Sequence, residues 1–286
     1  MNLTLIQNHG LKYANKIDVL RRDKMEIKTD DYEIYKGDCL EVMKSIPDKS
    51  IDMILCDLPY AQTKNQWDTI IPFDRLWEQY NRIIKDNGAI VLFANGMFTA
   101  ELMMSNKKMW RYNLVWDKVL TSGFLNANRM PLRQHEDICV FYKKLPTYNP
   151  QKFEGKPNHS KGKPKENKNN NNYGTFNFVD NSKELGDMKH PTSIITVSKP
   201  HPSKMLHPTQ KPVDLLEFLI KTYTNEGELV LDNCMGSGST GVACAKTNRK
   251  FIGIELDDKY FEIAENRLNE AVEKKEELLK VFDKSN

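Results

Sequence analysis

Short apolar runs of strand length alternate with amphipathic stretches of helix length along most of this 286-residue chain, and no other feature restricts its fold as tightly. Ile51-Asp52-Met53-Ile54-Leu55-Cys56 and Ala89 to Phe93 are nearly continuous apolar runs, as expected for parallel strands buried on both faces. Leu229-Val230-Leu231 and Phe251-Ile252-Gly253-Ile254 read the same way, and Asp31–Lys36, Arg111–Trp116 and Asp137–Tyr142 supply further strands. Between them lie helical patterns: Leu40 to Ile46, stopping at Pro47; Phe73 to Lys85, ended by Asn87-Gly88; and Met97 to Asn106. Three more run from Pro212 through Ile220, from Thr240 to Lys246 and from Asp258 to Lys280. Strands alternating with helices predict an α/β fold around a doubly wound, mostly parallel sheet, with no internal repeat.

The pattern disappears between Leu145 and Lys204. Lys156 to Asn172 (KPNHSKGKPKENKNNNN) holds too little apolar surface to stay ordered alone. The chain therefore divides into an N-terminal extension (1–24), a first half of the main domain (25–143), an inserted region (144–204) and a second half (205–286). From Lys143 to Lys211 there are 13 Lys and no Arg against five acids, a local balance of +8. Formal net charge is only +3, so the remainder carries −5. A basic insertion on an acidic body suits contact with nucleic acid, although a solvated Lys/Asn-rich loop would look similar. A mean hydropathy of −0.63 and the lack of an apolar run near twenty residues argue against a membrane span. Five cysteines without a C-x-x-C pair read as reduced thiols rather than a disulfide framework or zinc site.

Two motifs carry chemistry. Asp57-Leu58-Pro59-Tyr60 follows the buried run ending at Cys56, which puts it at the carboxyl edge of the sheet, where such folds bind ligands. The lone pair of an aromatic amine is delocalised into its ring. The Asp57 carboxylate and the Leu58 backbone carbonyl, held rigid by Pro59, can accept both N–H protons and turn that lone pair toward an electrophilic methyl group. Tyr60 offers a face on which a base can stack after leaving a duplex. On its own, such a tetrapeptide is also an ordinary turn.

The second motif is Asp232-Asn233-Cys234-Met235-Gly236-Ser237-Gly238-Ser239-Thr240, in strand–turn–helix context. Glycines there let backbone approach a ligand, and helix-end N–H groups can bind its carboxylate, though tight strand–helix packing needs glycine too. Glu255 ends the next strand, roughly twenty residues on, where a carboxylate can accept from ribose hydroxyls. A third glycine at the dinucleotide interval is missing, which weighs against a nicotinamide or flavin cofactor.

In this order the motifs resemble those of the β-class DNA amino-methyltransferases, in which D/N/S-P-P-Y precedes a target-recognition region and the F-x-G-x-G-type motif comes last. The resemblance spans Tyr32–Leu268. It includes Gly37-Asp38-Cys39, whose counterpart contacts the cofactor adenine, and His207-Pro208-Thr209-Gln210-Lys211-Pro212, which it sets close to the methionine carboxylate. It implies a Rossmann-like methyltransferase fold with permuted motif order, S-adenosyl-L-methionine as cofactor and no metal. The implied catalytic residues are Asp57, Leu58, Pro59 and Tyr60. The implied cofactor set is Asp38, Cys39, Asp57, His207, Lys211, Asp232, Asn233, Cys234, Gly236, Ser237, Gly238, Thr240, Glu255 and Leu256. Two positions depart from the family pattern: Leu58 replaces the first proline, and Asn233-Cys234 stands where Pro-Phe is frequent.

Arg111–Lys118 and Asn126–His135 resemble family segments lining the base pocket and DNA cleft. Lys118, Arg129, Arg133 and His135 are accordingly the candidates for phosphate or base contacts, each also an unremarkable surface charge by itself. The Lys/Asn-rich insertion takes the place of the target-recognition region and is expected to order on the duplex. The resulting expectation is a site-specific adenine-N6 methyltransferase acting on double-stranded DNA in the cytoplasm of a bacterium, or encoded by a phage. The resemblance also admits a homodimer and a cognate restriction endonuclease. Asp at the first motif position favours adenine; cytosine-N4 methylation is the nearest rival. A non-catalytic DNA-binding protein with the same fold is the alternative of another class.

Overall fold

The computed structural model describes residues 26–60, 69–156, 187–199 and 210–283. The expected N-terminal extension, most of the Lys/Asn-rich segment and His207 lie outside the described residues. In chain order the elements are β1 (Glu26–Lys28), β2 (Tyr32–Lys36), α1 (Cys39–Val42), β3 (Ile51–Cys56), α2 (Phe73–Ile83), β4 (Ile84–Ala94), α3 (Met97–Ser105), β5 (Trp110–Ser122) and β6 (Arg133–Phe141). Then come β7 (Phe153–Glu154), β8 (Met188–Lys189), β9 (Ile194–Thr196), α4 (Val213–Tyr223), β10 (Leu229–Asp232), α5 (Ser239–Lys246), β11 (Lys250–Glu255) and α6 (Asp258–Asp283). Among the described residues no helix is long and apolar enough to cross a membrane.

Nine strands form one sheet in the order β1-β2-β11-β10-β3-β4-β6-β5-β9. Its centre, β2 through β4 in that order, is all parallel, whereas β6 runs antiparallel to both β4 and β5. Alternate residues of each central strand enter opposite cores. Met53, Leu55, Val91 and Phe93 pack with Leu215, Leu219 and Ala264 from α4 and α6. Ile54, Cys56, Ile90 and Leu92 pack with Leu76, Tyr80 and Leu102 from α2 and α3. Burial on both faces is why these strands are almost continuously apolar.

The connections out of β3 and β10 leave in opposite directions, β3 to β4 on one side and β10 to β11 on the other, while β3 and β10 pair directly through Val230↔Met53 and Leu231↔Ile54. That is a topological switch point, and the crevice beyond the carboxyl ends of those two strands is where an open α/β sheet accommodates a ligand. Asp57 follows one strand and Asp232 ends the other.

The structure departs from the sequence pattern in three places. Asn87-Gly88 does not end the second helix: α2 stops at Ile83, and both residues lie inside β4. Gly88 is needed there for closeness, because a Cβ would come within 2.8 Å of the Asp52 carbonyl on β3. The strand expected from Asp137 starts earlier, at Arg133, and forms a long hairpin with β5. Finally, Ile194–Thr196 falls within the expected insertion but pairs parallel with Val115–Asp117 of β5. The described residues of Pro150–Thr192 form a separate compact unit, in which β7 pairs antiparallel with β8 through Phe153↔Lys189 and Glu154↔Met188.

Candidate active site

At the switch point the rim of the sheet opens into a cleft of about 430 Å³. Gly37, Asp38 and Cys39 after β2, the tetrapeptide after β3, the turn after β10 and Glu255-Leu256 at the end of β11 all line it. The two motifs, some 175 positions apart, therefore share one cavity because five parallel strands point their carboxyl ends the same way. Arg133, Glu136, Gln210 and Lys211 also line it.

On the glycine-turn side, Gly236 and Gly238 adopt φ of 51° and 75°, the left-handed region that glycine enters without penalty. Gly236 donates its N–H to Glu255 Oε2 at 2.8 Å, and Asp257 N–H donates to Oε1 at 2.8 Å. Each carboxylate oxygen has a second lone pair, so Glu255 keeps acceptor capacity toward the cleft. Burial raises its carboxyl above the ordinary range, with the backbone N–H groups pulling back. Asp232 faces the turn: it accepts from Cys234 N–H at 3.1 Å and from the Thr240 hydroxyl at 2.6 Å, and burial pushes its pKa up to about 6. Asp38 caps α1 through Leu40 N–H at 2.8 Å. Cys39, Asn233, Cys234 and Ser237 also line the cleft, and Leu256, 61% exposed, forms its lip. The thiols of Cys39 and Cys234 are held neutral, Cys39 by a hydrogen bond to Cys234 together with burial.

At Gly238 a Cβ would lie 3.0 Å from Ala264 Cβ and 3.1 Å from Ala264 Cα on α6, so this glycine lets the turn pack on a helix. Two residues that the sequence reading did not single out brace the same region. Arg267 donates from α6 to the Ser237 carbonyl at 2.5 Å and the Ser239 hydroxyl at 3.1 Å. The Tyr80 hydroxyl donates to Asn233 Oδ1 at 2.6 Å, tying the turn to α2. Phe98 stands behind the Tyr60 ring, with centroids 4.7 Å apart and planes tilted by 32°.

The tetrapeptide sits in a charged cluster. Leu58 buries its side chain in the core, while Asp57 accepts the Tyr60 hydroxyl at 2.5 Å on Oδ1 and the Lys211 ammonium on Oδ2. Lys211 thus pairs with Asp57 rather than standing free for a cofactor carboxylate, and its Nζ lies 4.9 Å above the Phe93 ring. Glu136 is the principal residue the sequence reading missed. It lies at the N-terminal end of β6, which antiparallel pairing with β4 carries to this rim (Ala94↔Asp137). Its Oε1 accepts from Lys118 Nζ at 3.1 Å, and its Oε2 faces Lys211 Nζ at 3.4 Å. The only available signal was an acidic residue directly ahead of the apolar run Ile138–Phe141.

Burial pushes the Asp57 carboxyl up; Lys211 opposes that and the charge on Glu136 adds to it. Burial would also raise Glu136, but the ammonium groups of Lys211 and Lys118 outweigh it and hold the carboxyl below its usual range. Lys211 stays protonated, because Asp57 and Glu136 overcome the burial that would lower it. Burial, then the neighbouring Asp57 charge, lifts Tyr60 far above an ordinary phenol.

Of the four DNA-contact candidates, Lys118 alone is buried. It is 4% exposed and committed to Glu136, because its position in β5 turns the side chain into the cluster. Arg129, Arg133 and His135 are exposed on the β5–β6 hairpin, and Arg133 alone of these lines the cleft.

The chain is 29% identical to the Type II methyltransferase M.HinfI of Haemophilus influenzae over 83% of this chain and 68% of that protein. It is 27% identical to the Type II methyltransferase M2.MboI of Moraxella bovis, covering 87% of this chain and 92% of that one. The crystal structure of an M1.HpyAVI–SAM complex superimposes with a TM-score of 0.57 at 26% identity, covering 83% of this chain and 99% of that one. Residues 51–266 match the family of N6/N4 DNA methylases, and the chain belongs to that family.

Proposed function

We propose that this protein is a site-specific Type II DNA methyltransferase that methylates the N6 amino group of adenine. The observation that carries the reading is the meeting of Asp57 and Tyr60 with the glycine turn and Glu255 in one cleft. S-adenosylmethionine is the methyl donor and supplies, when bound, a methyl group carried on a sulfonium. Glu255 has acceptor capacity for ribose hydroxyls, and Leu256 and Cys39 offer apolar surface for the adenine. Asp57 accepts an N–H of the target amine, with the Leu58 carbonyl as second acceptor, which localises the nitrogen lone pair. Tyr60, backed by Phe98, is the platform for the extruded base. A carboxylate at position 57, rather than a hydroxyl, favours adenine over cytosine. Arg129, Arg133 and His135 on the β5–β6 hairpin are the proposed DNA contacts, and the basic stretch of the chain adds attraction to phosphate.

The test is product analysis. Unmethylated plasmid DNA is incubated with methyl-tritiated S-adenosylmethionine, digested to nucleosides and chromatographed. Label is expected in N6-methyldeoxyadenosine. Label in N4-methyldeoxycytidine would overturn the base assignment, and unlabelled DNA the activity itself.

A further inference from the structure

We infer that Glu136 is a positioning residue for Asp57: its Oε2 is the berth that receives the Lys211 ammonium when Asp57 turns an acceptor oxygen to the incoming amine. The inference rests on the methyltransferase reading and assigns a role that the tetrapeptide alone does not contain.

Both Asp57 oxygens are engaged, Oδ1 by the Tyr60 hydroxyl and Oδ2 by Lys211. An amine approaching this carboxylate needs a free lone pair in the right direction, and an ammonium seated on Oδ2 competes for it. Glu136 Oε2 is, among the described residues, the one buried side-chain nitrogen or oxygen without a hydrogen bond. A buried acceptor without a hydrogen bond is uncommon, so this one calls for an explanation. Lys211 Nζ lies 3.4 Å away, an ion pair longer than a charge-assisted hydrogen bond. Charge-assisted N–H···O bonds run about 2.7–2.9 Å, so a shift of roughly half an ångström moves the ammonium from one carboxylate toward the other.

The surroundings suit that exchange. Lys118 holds Glu136 Oε1 at 3.1 Å and fixes the carboxylate, while the Phe93 ring lies under the ammonium at 4.9 Å. Two carboxylates and two ammonium groups sum to zero charge, so the movement uncovers no net buried charge. The groups facing Asp57 are Tyr60 on its own loop, Lys211 ahead of α4, Glu136 on β6, and Cys56 and Asp232 at the ends of β3 and β10.

A Glu136→Gln variant tests this. It keeps the shape, offers Lys211 no charged berth and removes a negative charge that disfavours ionised Asp57. The expected result is a fall in kcat of up to about 10²-fold, the scale of a misplaced catalytic group, with KM for DNA and Kd for S-adenosylmethionine near wild type. The acid limb of the kcat–pH profile should move to lower pH, because Asp57 then ionises more easily. A lowered kcat with an unmoved limb would reduce Glu136 to a structural ion-pair partner, and an unchanged kcat would likewise overturn the inference. Should Glu136→Gln fail to fold, Glu136→Asp retains the charge at shorter reach. It should show a reduced kcat with the acid limb in place, and a wild-type kcat in that variant would end the proposal. Wild-type protein is assayed alongside: if it transfers no methyl group, the functional reading falls; if it does and the variants match it, only this inference falls.

Discussion

Gly238 is the position where packing and ligand binding can be separated most cleanly. Its φ of 75° lies where a residue with a Cβ pays about 1–2 kcal/mol, and its Cβ would press on Ala264 at 3.0 Å. Both contacting atoms belong to the body of α6, the Cβ and the backbone Cα of Ala264, so neither can swing aside as the end of a flexible side chain would. Overpacking of that kind adds about 1–3 kcal/mol, and Gly238→Ala should lose roughly 2–5 kcal/mol in all. Gly227 provides the internal standard: its φ is 79°, nothing lies within 4 Å of its would-be Cβ, and Gly227→Ala should cost only about 1–2 kcal/mol. Urea unfolding followed by tryptophan fluorescence, with equal slopes for both variants, measures the difference. Because the strain falls on α6, the folded Gly238→Ala protein should bind S-adenosylmethionine within a few-fold of wild type. Equal stability losses for the two variants, or a large loss of cofactor affinity at unchanged stability, would refute the packing argument.

Three further outcomes follow from the same geometry. Tyr60→Ala should weaken the complex with the extruded base by about 1–3 kcal/mol, read as kcat/KM, whereas Tyr60→Phe keeps the ring and loses only the hydroxyl that favours ionised Asp57. Asp57 must be a carboxylate to accept the amine, so the acid limb of Tyr60→Phe should move to higher pH; a limb at wild-type pH would detach the hydroxyl from Asp57 chemistry. Glu255→Gln leaves an acceptor for Gly236 N–H but removes charge from the ribose end, and calorimetry should find weaker cofactor binding with DNA affinity retained; an unaltered cofactor Kd would misplace the ribose. Arg133→Ala should lower DNA affinity and reduce the salt slope by about one, while Lys118→Met should leave that slope unchanged; a slope lowered by Lys118→Met would put this lysine back on the phosphate.

The fold was legible wherever burial is two-sided. Ile51–Cys56 appears as a strand with the boundaries its apolar run suggested, because a strand covered on both faces has no exposed position to blur them. Asn87-Gly88 misled for a physical reason: glycine ends helices through conformational freedom, but Gly88 answers to the Asp52 carbonyl on a neighbouring strand, and no local pattern records that neighbour. Lys118 shows the same limit, since a lysine in a strand looks identical whether it meets phosphate or a buried carboxylate. The motifs themselves were legible because each requires a particular residue within a few positions of another.

The charged cluster was not legible, because its members come from four separate parts of the chain, and only the strand order brings them together. Asp57 and Lys211 arrive on the parallel half of the sheet and its connections, Glu136 and Lys118 on the antiparallel hairpin beside it. The reversal of β6 is the step that matters: run parallel to β4, that strand would carry Glu136 to the opposite end of the sheet, more than 20 Å away at about 3.3 Å per residue along the eight residues from Ala94 back to Asn87. The antiparallel hairpin thus does more than extend the sheet. It sets a second carboxylate and a second ammonium beside the first pair, keeps the buried cluster neutral, and leaves Asp57 with a lysine that has somewhere else to go.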